Sequence, residues 1–296
     1  MYRKGYGIIE TLAPLHVGAT AGEETGNLNL IFRDQFTQTG IIPGSSIRGR
    51  LRSEVYLSGE AGKILAEDWY GRGAERNKDI EFESRIKIEH ASIVWIPVFC
   101  PGQPIVWVSC PRLLMRYQRI MGDLVKVNDN KYLKDIDIPK PYTGSQDLKG
   151  RETKTNSKEV LFFNFGFLTI EKPQQDLSHW FPLDTMFTSD NSKQLPAVVV
   201  KDKEMALIHD MALYRQSRVA LKKDQKVVDD RAFFNVEALP EGTVMVFPIG
   251  IKDRDMGKKD KLDWKPLNNN MKGDIYLGGL ESVGFGHCYM TIKGLD

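Results

Sequence analysis

Two stretches of this sequence carry residue types suited to holding phosphate. Gly278-Gly279-Leu280-Glu281-Ser282-Val283-Gly284-Phe285-Gly286 places four glycines in nine residues. Backbone without Cβ atoms approaches a ligand closely and exposes N–H groups to anions. A dinucleotide fingerprint is excluded by spacing, because Gly284 and Gly286 are followed by Tyr289 where the third glycine belongs. The alternative is a plain glycine-rich hairpin connection. The second stretch is Pro43 to Arg52, where Gly44, Ser45 and Ser46 open a helix that carries Arg48, Arg50 and Arg52. Free N–H groups at a helix start and bidentate guanidinium groups both suit a phosphate backbone, so RNA is a candidate ligand. Its alternative is an amphipathic helix with solvated arginines.

Metal and redox chemistry find less support. His16, His90, His179, His209 and His287 lie far apart, with no i, i+4 pair and no cysteine at zinc spacing. His16 stands at the end of an expected strand and opens a polar loop, the placement of a ligand-contacting or catalytic residue; the other four read as structural. Cys100, Cys110 and Cys288 form no C-x-x-C pair, and their odd number fits buried thiols in a reducing compartment.

The elements that must position these residues follow from hydrophobic period and turn chemistry. Tyr6 to Leu12 predicts a strand, followed by a long loop from Gly18 to Asn29. Ile47, Leu51 and Val55 predict a helix capped at Ser45 or Ser46. Ile86 to Phe99 and Pro104 to Ser109 predict a hairpin around Pro101-Gly102, and Pro111 to Met121 a helix. Residues 122–158 predict a basic inserted loop without a core role, and Lys252 to Lys272 a second basic surface stretch. Val160 to Ile170 and Leu195 to Val200 predict strands, and Asp202 to Met211 a short helix. Arg218 to Glu237 predicts a β-hairpin whose tip carries Lys222 and Lys223. Asp274 to Leu277 and His287 to Ile292 predict strands flanking the glycine-rich loop.

Composition sets the outer bounds. The 296 residues are 41% hydrophobic and 27% charged, which fits a globular chain and excludes collagen, coiled coil and disorder. Forty-one Lys+Arg against thirty-nine Asp+Glu leave a net charge of +2, so any basic surface must be local. The opening MYRKGYGIIETLAPLHVG has the Arg3 and Lys4 of a signal peptide, but Glu10 and Pro14 interrupt its apolar stretch. With no long apolar run either, a cytoplasmic protein without membrane contact is expected.

Taken together, the two phosphate-type motifs resemble those of the RAMP superfamily of CRISPR-associated proteins, whose members end in a G-G-x-x-x-x-G-x-G loop. Further segments look like the backbone subunit of type III effector complexes, closest to the Cmr (type III-B) version. They are Thr11 to Gly18, Phe32-Arg33-Asp34, Pro43 to Gly49, Trp107 to Pro111 and Glu237 to Pro240, in family order across nearly the whole chain.

The resemblance implies an α+β fold: one domain over 1–296 with a modified ferredoxin-like (RRM-like) core, loop insertions and a protruding β-hairpin thumb at 218–237. It implies a subunit that forms a filament along a CRISPR guide RNA in antiviral defence, together with copies of itself and other type III subunits, and that holds single-stranded target RNA. Ser45, Ser46, Arg48, Arg50 and Arg52 would grip guide phosphates, Gly278, Gly279, Gly284 and Gly286 would pack the guide backbone, and Lys222 and Lys223 would reach RNA from the thumb. Family members cleave target RNA with a loop aspartate and a divalent metal, Mg or Mn. Here Asn27 or Asn29 stands at that place. A neutral amide binds such a cation less well and takes no proton. A metal-dependent endoribonuclease with His16 and Glu237 near the scissile phosphate is one alternative, and a stand-alone single-strand RNA-binding module is another.

Overall fold

In strand Tyr2–Thr11, side chains alternate between two buried faces: Ile9 enters one apolar core, and Tyr6 and Ile8 enter another. The neighbouring strand Val244–Lys252 does the same, with Met245, Phe247, Ile249 and Ile251 in the first core and Val244 and Val246 in the second. A strand covered on both faces has to be apolar throughout, so these segments read as runs rather than alternations. Gly7 lies opposite Phe247, and a Cβ there would fall 2.1 Å from the ring. The missing side chain makes room for the aromatic one.

The computed structural model describes the chain except residues 1, 19–27, 72–82, 129, 153–158, 165, 183–194, 222–227, 254–263 and 296, and for 28, 172, 219–221 and 228–234 the backbone alone. Its fold is α+β around a large mixed sheet. The strand order is Glu171–Gln175, Thr143–Ser145, Ala197–Val199, Gln103–Ser109, Ala91–Cys100, Val244–Lys252, Tyr2–Thr11, His287–Lys293 and Lys272–Tyr276. Two of these neighbours run parallel, Ala197–Val199 with Gln103–Ser109 and Glu171–Gln175 with Thr143–Ser145. Ile41–Ile42 and Ile86–Ile88 pair alongside the central strands.

Helices cover both faces. On the first, α1 (Gly44–Tyr56) contributes Ile47 and Leu51, and α2 (Glu60–Tyr70), which the sequence reading did not anticipate, contributes Trp69 and Tyr70. The second core is closed by α3 (Pro111–Met121), where Leu114, Tyr117 and Met121 join Trp95 and Trp180. Trp95 stacks on Phe181 with ring centroids 4.5 Å apart. Helix α4 (Asp202–Ala212) packs Met205 and Ile208 back onto the first core. No helix among the described residues is long and apolar enough to cross a membrane.

Several sequence expectations need correction. Val160 to Ile170 is not one strand but a tight hairpin, Glu159–Phe163 with Gly166–Thr169, for which Asn164 and Gly166 are the turn signal. The segment 122–158 does have a core role: Leu133 and Leu148 are buried, and Thr143–Ser145 joins the large sheet. Within Lys252 to Lys272, Trp264 and Leu267 are buried, the indole donating to the Tyr70 hydroxyl at 3.0 Å. Ile86 to Phe99 is broken into Ile86–Ile88 and Ala91–Cys100. The cap of α1 is Pro43, with Ser45 and Ser46 exposed in its first turn and no side-chain cap.

Candidate nucleic-acid interface

The glycine-rich loop is held by the segment that follows the first strand. Gly286 N–H donates to the Pro14 carbonyl oxygen and Gly279 N–H to the His16 carbonyl oxygen, both at 2.9 Å. Gly278, at φ +79°, leaves no room for a side chain, because a Cβ would sit 2.1 Å from the His16 carbonyl oxygen. Around Gly279 and Gly284, by contrast, a Cβ would meet nothing within 4 Å. Two of the four glycines are thus needed for the loop's own packing, and two line open space.

Helix α1 and the long hairpin meet this same loop. The Arg50 guanidinium bonds Glu54 at 2.7 Å and lies 3.6 Å from Glu281 in the loop. The hairpin consists of Tyr214–Leu221 and Val228–Ala238, four residues longer at its start than expected. Its base rests on Phe285: Tyr214 meets that ring edge-on with centroids 5.9 Å apart, and the Arg218 guanidinium lies 5.0 Å above it. Arg218 also donates to the Val283 carbonyl oxygen at 3.2 Å.

The three α1 arginines do not act as one group. Steps of two on a helix turn by about 200°, so Arg50 faces away from Arg48 and Arg52. Arg48 donates to the Tyr70 carbonyl oxygen of α2 and lies over the Tyr70 ring. Arg50 reaches the glycine loop, and Arg52 has no hydrogen-bond partner at its Nε. Arg50 and Arg52 thus lie on opposite sides of α1, and Ser45 and Ser46 are exposed at its start.

Beneath the loop lies an ionic cluster that the sequence reading missed. Glu237, on the hairpin arm and 2% exposed, accepts from Arg33 at 3.0 Å and from the cross-strand Arg215 at 3.1 Å. Asp210, near the end of α4, accepts from the same two arginines at 3.1 and 3.0 Å. Burial works against the Asp210 carboxylate, but bonds and charge from Arg33 and Arg215 outweigh it and hold its pKa below the usual value. Arg215 is shifted upward by the reverse balance, burial being outweighed by Asp210 and Glu237. The signal for this cluster was Arg33-Asp34 beside a hairpin arm, but nothing in the text links positions 33, 210, 215 and 237.

His16 is 8% exposed and donates from Nδ1 to the Glu237 carbonyl oxygen at 2.7 Å, a geometry that fixes the proton on Nδ1 when the ring is neutral. Nε2 is then an acceptor on the Gly18 side. Gly18 and Ile31 form a bridge, so the ends of the intervening loop meet beside His16. Leu28–Asn29 pairs parallel to the hairpin arm, Asn29 opposite Val236 and one residue from Glu237. Asn27, Lys222 and Lys223 lie outside the described residues.

The described residues do not fit a divalent cation. No cluster of three His, Cys, Asp or Glu side chains occurs among them, and the Asp210 and Glu237 carboxylates are occupied by guanidinium groups. What the arrangement offers to phosphate is hydroxyls, arginines and an open approach at Gly279 and Gly284, while the N–H groups of Gly279, Gly284 and Gly286 are already bonded within the protein.

Comparison with known proteins follows the same line. The family model described as the RAMP superfamily matches residues 8–289. No curated protein matches in sequence. A chain of the type III-B Cmr-beta bound to cognate target RNA is similar in structure, with a TM-score of 0.70 and 17% identity over 98% of this chain and 96% of that one. The oligomeric Cmr4 from Pyrococcus furiosus is similar with a TM-score of 0.64 and 18% identity, over 99% and 98% of the two chains.

Proposed function

Because the chain belongs to the RAMP superfamily, we propose that it is a guide-RNA-binding backbone subunit of a type III CRISPR effector complex, working in the cytoplasm. Copies of it assemble side by side along the guide with other subunits of the complex, and the array holds single-stranded target RNA. The observation that carries this reading is convergence: the glycine loop, Arg50 of α1, the hairpin base and the His16 segment all meet at one place.

The chemistry of holding follows from these groups. Guide phosphates accept from the exposed Ser45 and Ser46 hydroxyls at the start of α1 and pair with Arg50, which lies beside the glycine loop. The open Gly279 and Gly284 let the RNA backbone come close. The hairpin projects from this site, and the Arg33, Asp210, Arg215 and Glu237 cluster fixes its base to the loop before α1 and to α4. Metal-dependent cleavage is not part of this reading, since Asn29 is neutral and the Asp210 and Glu237 carboxylates are paired with arginines.

Mixing the purified protein with single-stranded RNAs of increasing length and weighing the products by mass photometry tests the proposal. Assemblies should grow by one subunit as the RNA lengthens. A monomer on RNA of every length would instead make the protein a stand-alone single-strand binder, and absence of RNA binding would reject both readings.

A further inference from the structure

Helix α3 carries Arg112, Arg116 and Arg119 and no acid, although the sheet uses only its opposite face. Spacings of four and three put these arginines on one side of the helix. They line a cleft of about 320 Å³ together with His90, Asp34 and Phe36. The volume is at the lower end for a small-ligand site.

The wall opposite α3 is a preformed turn. Asp34 Oδ1 accepts from Phe36 N–H at 3.0 Å, Thr37 N–H at 2.7 Å and the Thr37 hydroxyl at 3.0 Å. The Thr37 and Thr39 hydroxyls are bonded at 2.8 Å. This turn presents the Phe36 ring to solvent with 74% of its surface exposed, and the Arg112 guanidinium sits 5.7 Å from its centroid. A rigidly held, exposed aromatic ring gains nothing for the isolated fold. It is suited to receive a flat partner.

The cleft is also short of negative charge. Arg116 is anchored in it, donating to the Ser92 hydroxyl at 2.8 Å and to the His90 carbonyl oxygen at 3.1 Å, with exposed Glu89 3.8 Å away. Asp34 is held by its own turn. Neither the Arg112 nor the Arg119 guanidinium has a carboxylate partner among the described residues. Burial, with Arg116 and Arg119 adding to it, lowers the His90 pKa and keeps the imidazole uncharged at neutral pH.

We infer that this cleft is a second RNA subsite, in which a base of a single strand stacks on Phe36 while the flanking phosphates pair with Arg112 and Arg119. The combination of aromatic platform and unneutralised arginines is the chemistry of single-strand recognition and does not suit an apolar or basic peptide. The inference rests on the RNA-binding reading above and adds a site distinct from the glycine loop. Arg33 points to the Glu237 cluster, while Asp34 next to it builds the Phe36 turn. One loop thereby serves both sites.

Photo-crosslinking with iodouridine-substituted RNA tests it, since halogenated uracil couples to an aromatic side chain stacked on it. The label is placed first in the guide and then in a complementary target added after assembly, which distinguishes the two strands. A crosslink at Phe36 from either strand is expected, as is loss of it in Phe36→Leu and retention in Phe36→Tyr. On labelled oligouridine, Phe36→Leu should weaken binding about tenfold. Arg112→Ala and Arg119→Ala should each lower the slope of log affinity against log salt by about 0.7. Both arginines are exposed, so melting curves should match the parent. If the parent binds RNA while these variants keep its affinity and slope and no strand crosslinks at Phe36, the subsite is rejected and the earlier reading stands. The same holds if the variants bind RNA normally but assemble less, which would make the cleft a contact between subunits. If the parent binds no RNA at all, the earlier reading fails first.

Discussion

His209 is fully buried beside the ionic cluster, and its Nε2 accepts the Gly40 N–H at 2.9 Å. Burial, with help from Arg33 and Arg215, lowers its pKa to about 3. An imidazole in the unfolded chain takes up a proton below about 6.5, so between these values the unfolded state binds more protons. Stability therefore falls as pH falls through that window, by up to about 1.4 kcal/mol per pH unit from this group. His209→Gln keeps an acceptor for Gly40. It should flatten the dependence of the urea midpoint on pH between about 6.5 and 4.5, above the range where ordinary carboxylates titrate. An unchanged slope would place the acid sensitivity elsewhere. The other decisive residue is Asn29, whose amide stands next to the Glu237 arm without a negative charge. The protein as written should retain target RNA uncut on a denaturing gel. Asn29→Asp or Asn27→Asp should bring divalent-cation-dependent cuts at regular spacing in assembled complexes. Full cleavage by the parent would show that another residue does the chemistry.

The long hairpin is the element with most at stake. Its base is fixed by Phe285, Val283 and the Arg215 to Glu237 pair, so its direction is set by the glycine loop and the cross-strand pair. Lys222 to Lys226 at its tip lie outside the described residues. Deleting Lys222 to Lys226 should leave the melting temperature unchanged and shorten or abolish assemblies on guide RNA by mass photometry. Normal assembly would remove the hairpin from the contact between subunits. Element boundaries followed the sequence closely where apolar residues recur at helical spacing after an opening proline: Pro111–Met121 is a helix over the expected residues. They failed where a turn lies inside an apolar run, as at Asn164 and Gly166.

At the scale of the whole molecule, Arg33 and Glu237 tie three distant parts of the chain: the loop before α1, the end of α4 through Asp210, and the hairpin arm. Removing one partner leaves a buried carboxylate short of a cation, so Arg33→Ala should cost about 3 kcal/mol in chemical denaturation. Pairing it with Glu237→Gln should return part of that loss. A coupling energy below about 0.5 kcal/mol in the double-mutant cycle would mean that Arg215 alone satisfies Glu237. The same variants should loosen the hairpin and weaken assembly on RNA even where the fold survives, because the cluster joins its base to α4 and to the loop before α1.

The sequence by itself determined the local pieces: the glycine-rich loop between two strands, the helix after Pro43, the hairpin arms and the family to which their order belongs. These depend on side-chain period and turn chemistry, which act over a few residues and are written in consecutive letters. Tertiary structure alone decided which pieces share a site. It divided Arg50 from Arg48 and Arg52, because a helix turns 100° per residue and only one side faces α2. It drew Thr143–Ser145 and Trp264 inside, because core space left by neighbouring strands selects segments irrespective of their average polarity. It also assembled Arg33, Asp210, Arg215 and Glu237. Their attraction depends on distance through space and on burial, and neither quantity is carried by separation along the chain.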